Sequence, residues 1–208
     1  MIKISHLYKS YGRTCVLQDI NLDFEPGKIH GIVGRNGSGK SVLFKCICGL
    51  IPYEKGSIFV DGEKVSSTQP PIGKIGALIE TPGFLGNISG EANLNLLASL
   101  SVCPKERVRQ VLKQVELDGI KLPVGKYSLG MKQRLGLAQA ILEDCKIIIL
   151  DEPMNSLDEM SVQKTKELIF NLKERNRTIL MASHIKEDVE QMCDTVTYLK
   201  MGSVVKPA

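Results

Sequence analysis

Apolar and polar positions change period along the chain, and those changes predict its elements. Two β-rich runs come first, Ile2 to Leu7 and, beyond a turn at Gly12, Cys15 to Phe24, as expected of antiparallel strands. Glu25-Pro26-Gly27 ends the second run and Ile29 to Val33 begins a third. The loop Gly34 to Gly39 then leads straight into the apolar segment Val42 to Leu50, a strand–loop–helix order. Gly56 to Val60 and Ile75 to Glu80 read as further strands. From Ser89 to Glu143 the pattern is mainly helical. There Val108, Val111, Leu112 and Val115 recur at i, i+3, i+4 and i+7, and Pro104 suits a first turn. Ile147 to Leu150 is apolar without alternation, the mark of a parallel strand covered on both faces. A helix on Val162, Thr165, Ile169 and Leu172 follows, then the strand Thr178 to Ala182, a helix from Lys186 and closing strands near Val196 to Leu199. This order predicts an α/β fold with a mainly parallel core sheet, an antiparallel β layer and an inserted helical segment.

Composition narrows the class. With 208 residues, one domain is expected, and 43% hydrophobic and 24% charged residues exclude disorder and coiled coil. No apolar run reaches membrane-spanning length, and the N-terminal MIKISHLYKSYG lacks the apolar region of a secretory signal. The net charge is +4, with bases interleaved among acids, so no direct nucleic-acid partner is expected. Six cysteines are scattered without a C-x-x-C pair; Cys46 and Cys48, in the apolar run Phe44 to Leu50, read as small buried hydrophobes, and a reducing cytosol is expected.

The segment GRNGSGKS, Gly34 to Ser41, matches G-x-x-x-x-G-K-[ST] in full. Its glycines, at 34, 37 and 39, let the main chain wrap so that the N–H groups of Gly34, Arg35, Asn36, Gly37, Ser38 and Gly39 can cradle phosphate oxygens. The start of the following helix adds positive partial charge. Lys40 is expected to neutralise the β- and γ-phosphates of a nucleotide, and the Ser41 hydroxyl to be a ligand for Mg2+. Two further acids stand at the carboxyl end of an apolar strand, a costly place unless they serve a site. Asp151 is assigned to Mg2+ and Glu152 to the attacking water.

With these two sites placed, the chain resembles the nucleotide-binding subunit of ATP-binding cassette (ABC) transporters from end to end. The most discriminating segment is YSLGMKQRLGLAQAIL, Tyr127 to Leu142, with Ser128-Leu129-Gly130-Met131-Lys132 in the place of the usual Leu-Ser-Gly-Gly-Gln signature. The resemblance implies a core of residues 1–83 and 144–208 and a helical subdomain at about 84–143. It also implies roles: Tyr11 stacks on adenine, with Tyr8 as a rival; Asn155-Ser156-Leu157-Asp158 touches an opposing subunit; His184 reaches the γ-phosphate. His6 and His30 read as structural or surface residues. Because the signature belongs to the helical insertion, far from its own glycine loop, the resemblance implies a second ATPase subunit. ATP is then sandwiched between the glycine loop of one copy and Ser128 and Gly130 of the other. Separate membrane permease subunits are implied too, with the region from Glu80 to about Leu100 receiving them, and a place on the inner face of the cell membrane.

One position departs from the family. After the strand beginning at Ile75 the usual glutamine is replaced by Glu80, in IGALIETPGF, a carboxylate tolerable beside triphosphate if it binds Mg2+ or takes up a proton. This context is similar to bacitracin- and lantibiotic-resistance exporters, which implies membrane-active peptides as cargo. Three other readings are weighed against this one. A GTPase should carry N-K-x-D, which does not occur, and a kinase has no use for the segment at Ser128. A soluble ABC-type ATPase acting on ribosomes or DNA usually has two cassettes or long coiled coils, whereas 86 residues separate Ser41 from Ser128. A non-hydrolysing nucleotide-gated module would not need Glu152.

Overall fold

A computed structural model describes residues 1–101 and 103–205. Two sheets organise it. The first is antiparallel, with β1 (Ile2–Tyr11), β2 (Thr14–Phe24), β4 (Lys55–Val60) and β5 (Glu63–Val65) in the order β2-β1-β4-β5. The second contains β3 (Ile29–Val33), β6 (Ile75–Leu78), β7 (Ile147–Asp151), β8 (Thr178–Ser183), β9 (Thr195–Lys200) and β10 (Ser203–Val205), in the order β10-β9-β3-β8-β7-β6. Its pairs are parallel from β9 across to β6, and only β10 runs antiparallel, on the β9 edge.

The unbroken apolar runs are explained by two cores, one on each face of the parallel sheet. Ile147, Ile149, Leu180 and Ala182 point toward the antiparallel sheet and α1 (Lys40–Ile47), joining Ile4, Leu17, Phe44 and Ile58. Their neighbours Ile148, Leu150, Ile179 and Met181 point the other way. They meet Leu94 of α2 (Gly90–Ala98), Val111 of α3 (Lys105–Gln114), Leu135 of α4 (Leu129–Ala140) and Ile169 of α5 (Glu159–Glu174). Period-two alternation is therefore present, but both faces are dry. A short helix α6 (Lys186–Met192) packs on β3 and β8. No helix among the described residues is long and apolar enough to cross a membrane.

Several boundaries differ from expectation for local reasons. The first strand runs on to Tyr11, past a register shift beside His6, which has φ 49°. α1 stops at Ile47, short of Leu50, because Gly49 (φ 68°) reverses the chain while Leu50 N–H donates to Lys45 O at 2.9 Å and Gly49 N–H to Cys46 O at 3.1 Å. Pro104 lies just before α3 rather than in its first turn, in an extended conformation. The strand expected over Ile75 to Glu80 ends at Leu78, and Glu80 turns the chain with φ 56°. β5, three residues long, had no periodicity to announce it.

α4 lies close on β6 because two positions lack a side chain. A Cβ on Gly76 would come within 1.8 Å of the Ala140 carbonyl oxygen, and one on Gly136 within 2.6 Å of Leu78 Cδ1. That contact joins the signature helix to the strand leading to Glu80.

Candidate functional site

Parallel register brings the expected site residues to one end of the sheet. Val33 lies opposite Ser183, Asp151 opposite Ala182, and Leu78 opposite Leu150. The residues just beyond those strand ends are Gly34, His184, Glu152 and Glu80. Carboxyl ends of parallel strands are where open α/β sheets bind ligands. A cleft of about 500 Å3 opens there, lined by Gly37 to Ser41, Glu80, Asp151 and Glu152 among others. That volume suits a nucleotide-sized ligand.

The glycine loop has the shape its motif requires. Gly37 (φ 80°) and Gly39 (φ 107°) occupy the left-handed region, and a Cβ on Gly34 would come within 2.4 Å of Ser38 Oγ. Gly39 caps α1 with its main chain, so the helix begins at Lys40 with its free N–H groups at the cleft. Lys40 is buried; its Nζ donates to Gly34 O at 2.7 Å and lies 3.4 Å from Glu152 Oε1. Arg35 and Asn36 are exposed on the loop, and Asn36 also lines the cleft.

Glu152 is held by His184 through one oxygen. His184 Nδ1 lies 2.8 Å from Glu152 Oε2, and the His184 main-chain N–H donates to the same oxygen at 3.3 Å. The backbone of Glu152 itself has φ 51°, a strained value of the kind that collects at functional sites. Asp151 is buried, and its Oδ1 has no hydrogen-bond partner among the described residues. Burial pushes its carboxyl above the ordinary range, while the Ser41 hydroxyl pulls the other way. An orphaned carboxylate oxygen beside a serine hydroxyl is a donor set that suits a hard divalent cation, so these residues fit Mg2+.

Other expected residues are placed less directly. Tyr11, at the hairpin end of β1 opposite Thr14, is 52% exposed with Lys9 Nζ 4.8 Å from its ring centroid, and it does not line the cleft. Tyr8 lies inside the paired part of β1, opposite Lys55. Ser128 caps α4 by accepting from Met131 N–H at 3.1 Å. Neither Ser128 nor Gly130 lines the cleft, but Leu129, Lys132 and Gln133 do. The first turn of α4 thus borders the same cleft as its own glycine loop, nearer than expected. Asp158 caps α5, and the Ser161 N–H it accepts holds its carboxyl below the usual range. Glu80 is paired with Lys45, whose Nζ lies 2.6 Å from Glu80 Oε1.

Sequence reasoning missed two residues. Lys45 reaches the site through Glu80, 35 positions away, and Gln133, which lines the cleft, bonds to Glu152, 19 positions away; no local motif signals either contact. Cysteine chemistry lies elsewhere: burial pushes the thiols of Cys46 and Cys48 up to about 12.

Known proteins share this architecture. The sequence matches the ABC transporter family over residues 17–155. It is 36% identical over 206 residues to the lantibiotic transport ATP-binding protein SrtF of Streptococcus pyogenes, covering 99% of this chain and 89% of SrtF. To the bacitracin transport ATP-binding protein BcrA of Bacillus licheniformis it is 38% identical over 210 residues, covering 99% of this chain and 69% of BcrA. The fold superposes on the dimeric structure of MJ0796, a bacterial ABC transporter cassette, with a TM-score of 0.92 at 25% identity over 99% of this chain and 97% of that one.

Proposed function

The chain belongs to the ABC transporter family, as an ATP-binding subunit whose ATP hydrolysis is coupled to transport, and on that premise we propose how its residues divide the work. The observation that carries the reading is Glu152, held by His184 and Lys40 at the end of β7 beside the glycine loop. ATP binds with its phosphates along Gly34 to Ser41, and Lys40 turns from Gly34 O and Glu152 to the β- and γ-phosphates. Glu152, then released, accepts a hydrogen bond from the attacking water, and His184 keeps the carboxylate aimed. Ser41 and Asp151 hold Mg2+, which supplies charge neutralisation at the phosphates. Tyr11 stacks on the adenine.

Two copies close over two nucleotides. Exposed Leu129 and Met160, at the starts of α4 and α5, support an apolar contact with a second subunit beside the cleft. Ser128, Gly130 and the Asp158 segment face the partner's nucleotide in that pair. The helical subdomain, about 84–143, moves with hydrolysis and passes the movement to separate membrane subunits. Exposed Ile72, Leu85 and Leu100 near this region support such a partner, and so a place on the inner face of the membrane. SrtF and BcrA are named for lantibiotic and bacitracin transport, which makes membrane-active peptides the proposed cargo.

The test is phosphate release by the purified chain with its permease. Wild type should hydrolyse ATP only with Mg2+. Glu152→Gln should bind ATP with unchanged affinity but lose turnover by about 10²–10⁴-fold. Retained turnover in that variant rejects Glu152 as the water-orienting group.

A further inference from the structure

Glu80 places a negative charge at a cleft that also holds Asp151 and Glu152 and that is built to receive triphosphate. Lys40 is already engaged with Gly34 O and Glu152, and Arg35 of the glycine loop is exposed outside the cleft lining. A third carboxylate without a counter-charge would oppose the incoming phosphates. The counter-charge comes from α1 itself. Lys45 follows Ser41 by four residues, so the two share a helix face. Its Nζ donates to Glu80 Oε1 at 2.6 Å, and its side chain is 27% exposed against 59% for Glu80. A cation in the last turn also suits the carbonyl end of α1. Glu80 is thereby tied through one oxygen to the helix that starts at the phosphate loop. Its own backbone turns at φ 56°, just beyond the end of β6.

We infer that Lys45 is a positioning residue dedicated to Glu80: the ion pair cancels the carboxylate's charge and holds it against α1, which is what makes a glutamate usable at this place. The inference rests on the ATP-site reading above. It differs from direct Mg2+ ligation by Glu80, because the neutralising group is already in the chain before nucleotide or metal arrives.

A double-mutant cycle tests it. ATP binding is measured by calorimetry in EDTA, where no divalent cation can substitute for Lys45, on wild type, Lys45→Met, Glu80→Gln and the double variant. Melting temperatures confirm that each is folded. Lys45→Met should weaken ATP binding about fivefold or more, the scale of coupling between adjacent charges. In the Glu80→Gln background the same change should cost less than about twofold. Lys45→Arg, which keeps the charge, should restore most of the affinity. Equal losses in both backgrounds would mean that Lys45 acts on the phosphates directly, and no loss in either would mean that Glu80 needs no counter-charge. Either result overturns the inference. Folded wild type that binds no ATP either in EDTA or with Mg2+ supplied overturns the ATP-site reading instead, and the inference with it.

Discussion

Gln133 Nε2 donates to the main-chain oxygen of Glu152 at 2.9 Å. One end of this bond is on α4, the signature helix, and the other is the residue proposed to orient water. A Cβ on Gly130 would come within 3.1 Å of Ser156 O, so the start of α4 also rests on the loop that follows Glu152. A movement of α4 would therefore pull on the backbone of Glu152. Gln133→Ala should lower ATP turnover by about tenfold, since small misplacements of catalytic groups are costly. ATP affinity measured by calorimetry should stay as in wild type. A parallel loss of affinity would show that Gln133 contacts nucleotide rather than Glu152.

His184 aims the Glu152 carboxylate through both its ring and its main-chain N–H. Replacing the ring by alanine keeps only the weaker, longer main-chain bond. His184→Ala should reduce phosphate release by roughly 10²-fold while sparing ATP binding. Single-turnover kinetics on the assembled transporter check this.

Asp151 is a site residue maintained against stability. Its carboxyl is raised by burial, so the ionised form is disfavoured in the folded state. The sign follows: the folded protein holds this proton more tightly than the unfolded chain, and stability falls as pH rises from 3.8 through the raised value. At neutral pH the ionised group is a net cost. Asp151→Asn should therefore stabilise the nucleotide-free protein by about 1 kcal/mol, or a few degrees in melting temperature for a chain this size. The same variant should lose Mg2+-dependent hydrolysis.

His30 predicts the opposite pH trend. It is buried beside Phe24, with Nε2 2.8 Å from Glu25 O and Nδ1 2.7 Å from Thr195 Oγ1. A neutral ring with its proton on Nε2 satisfies both partners, and burial pushes its pKa below the ordinary 6.5. The unfolded chain then binds the proton first as pH falls. Stability should be full above 6.5 and decline below it toward the lowered value. Melting curves between pH 7.5 and about 5 check the slope, and His30→Gln should flatten it.

Gly76→Ala tests the contact of α4 with β6. The added methyl has a main-chain carbonyl in its way, so strands or helix must shift, at about 1–3 kcal/mol or more. Loss of stability should come with loss of turnover, because the displaced helix carries Gln133. Chemical denaturation and the ATPase assay report the two effects separately.

Most of the chemistry was legible in the chain itself. Gly34 to Ser41 and Ile147 to Glu152 are local patterns whose physics needs only neighbours a few residues away: glycines for left-handed backbone, an apolar run for a strand buried on both faces, acids at its end. What the sequence could not reveal depends on distances that span the fold. Parallel register decided that Glu80 and Glu152 border one cleft and that His184 stands against Glu152. Close packing of α4 on Gly76 decided that Gln133 reaches Glu152. Helical phase on α1, set against the end of β6, decided that Glu80 faces Lys45. Local periodicity specifies what an element is and which face it buries; only the packing of those faces decides which side chains from distant elements touch.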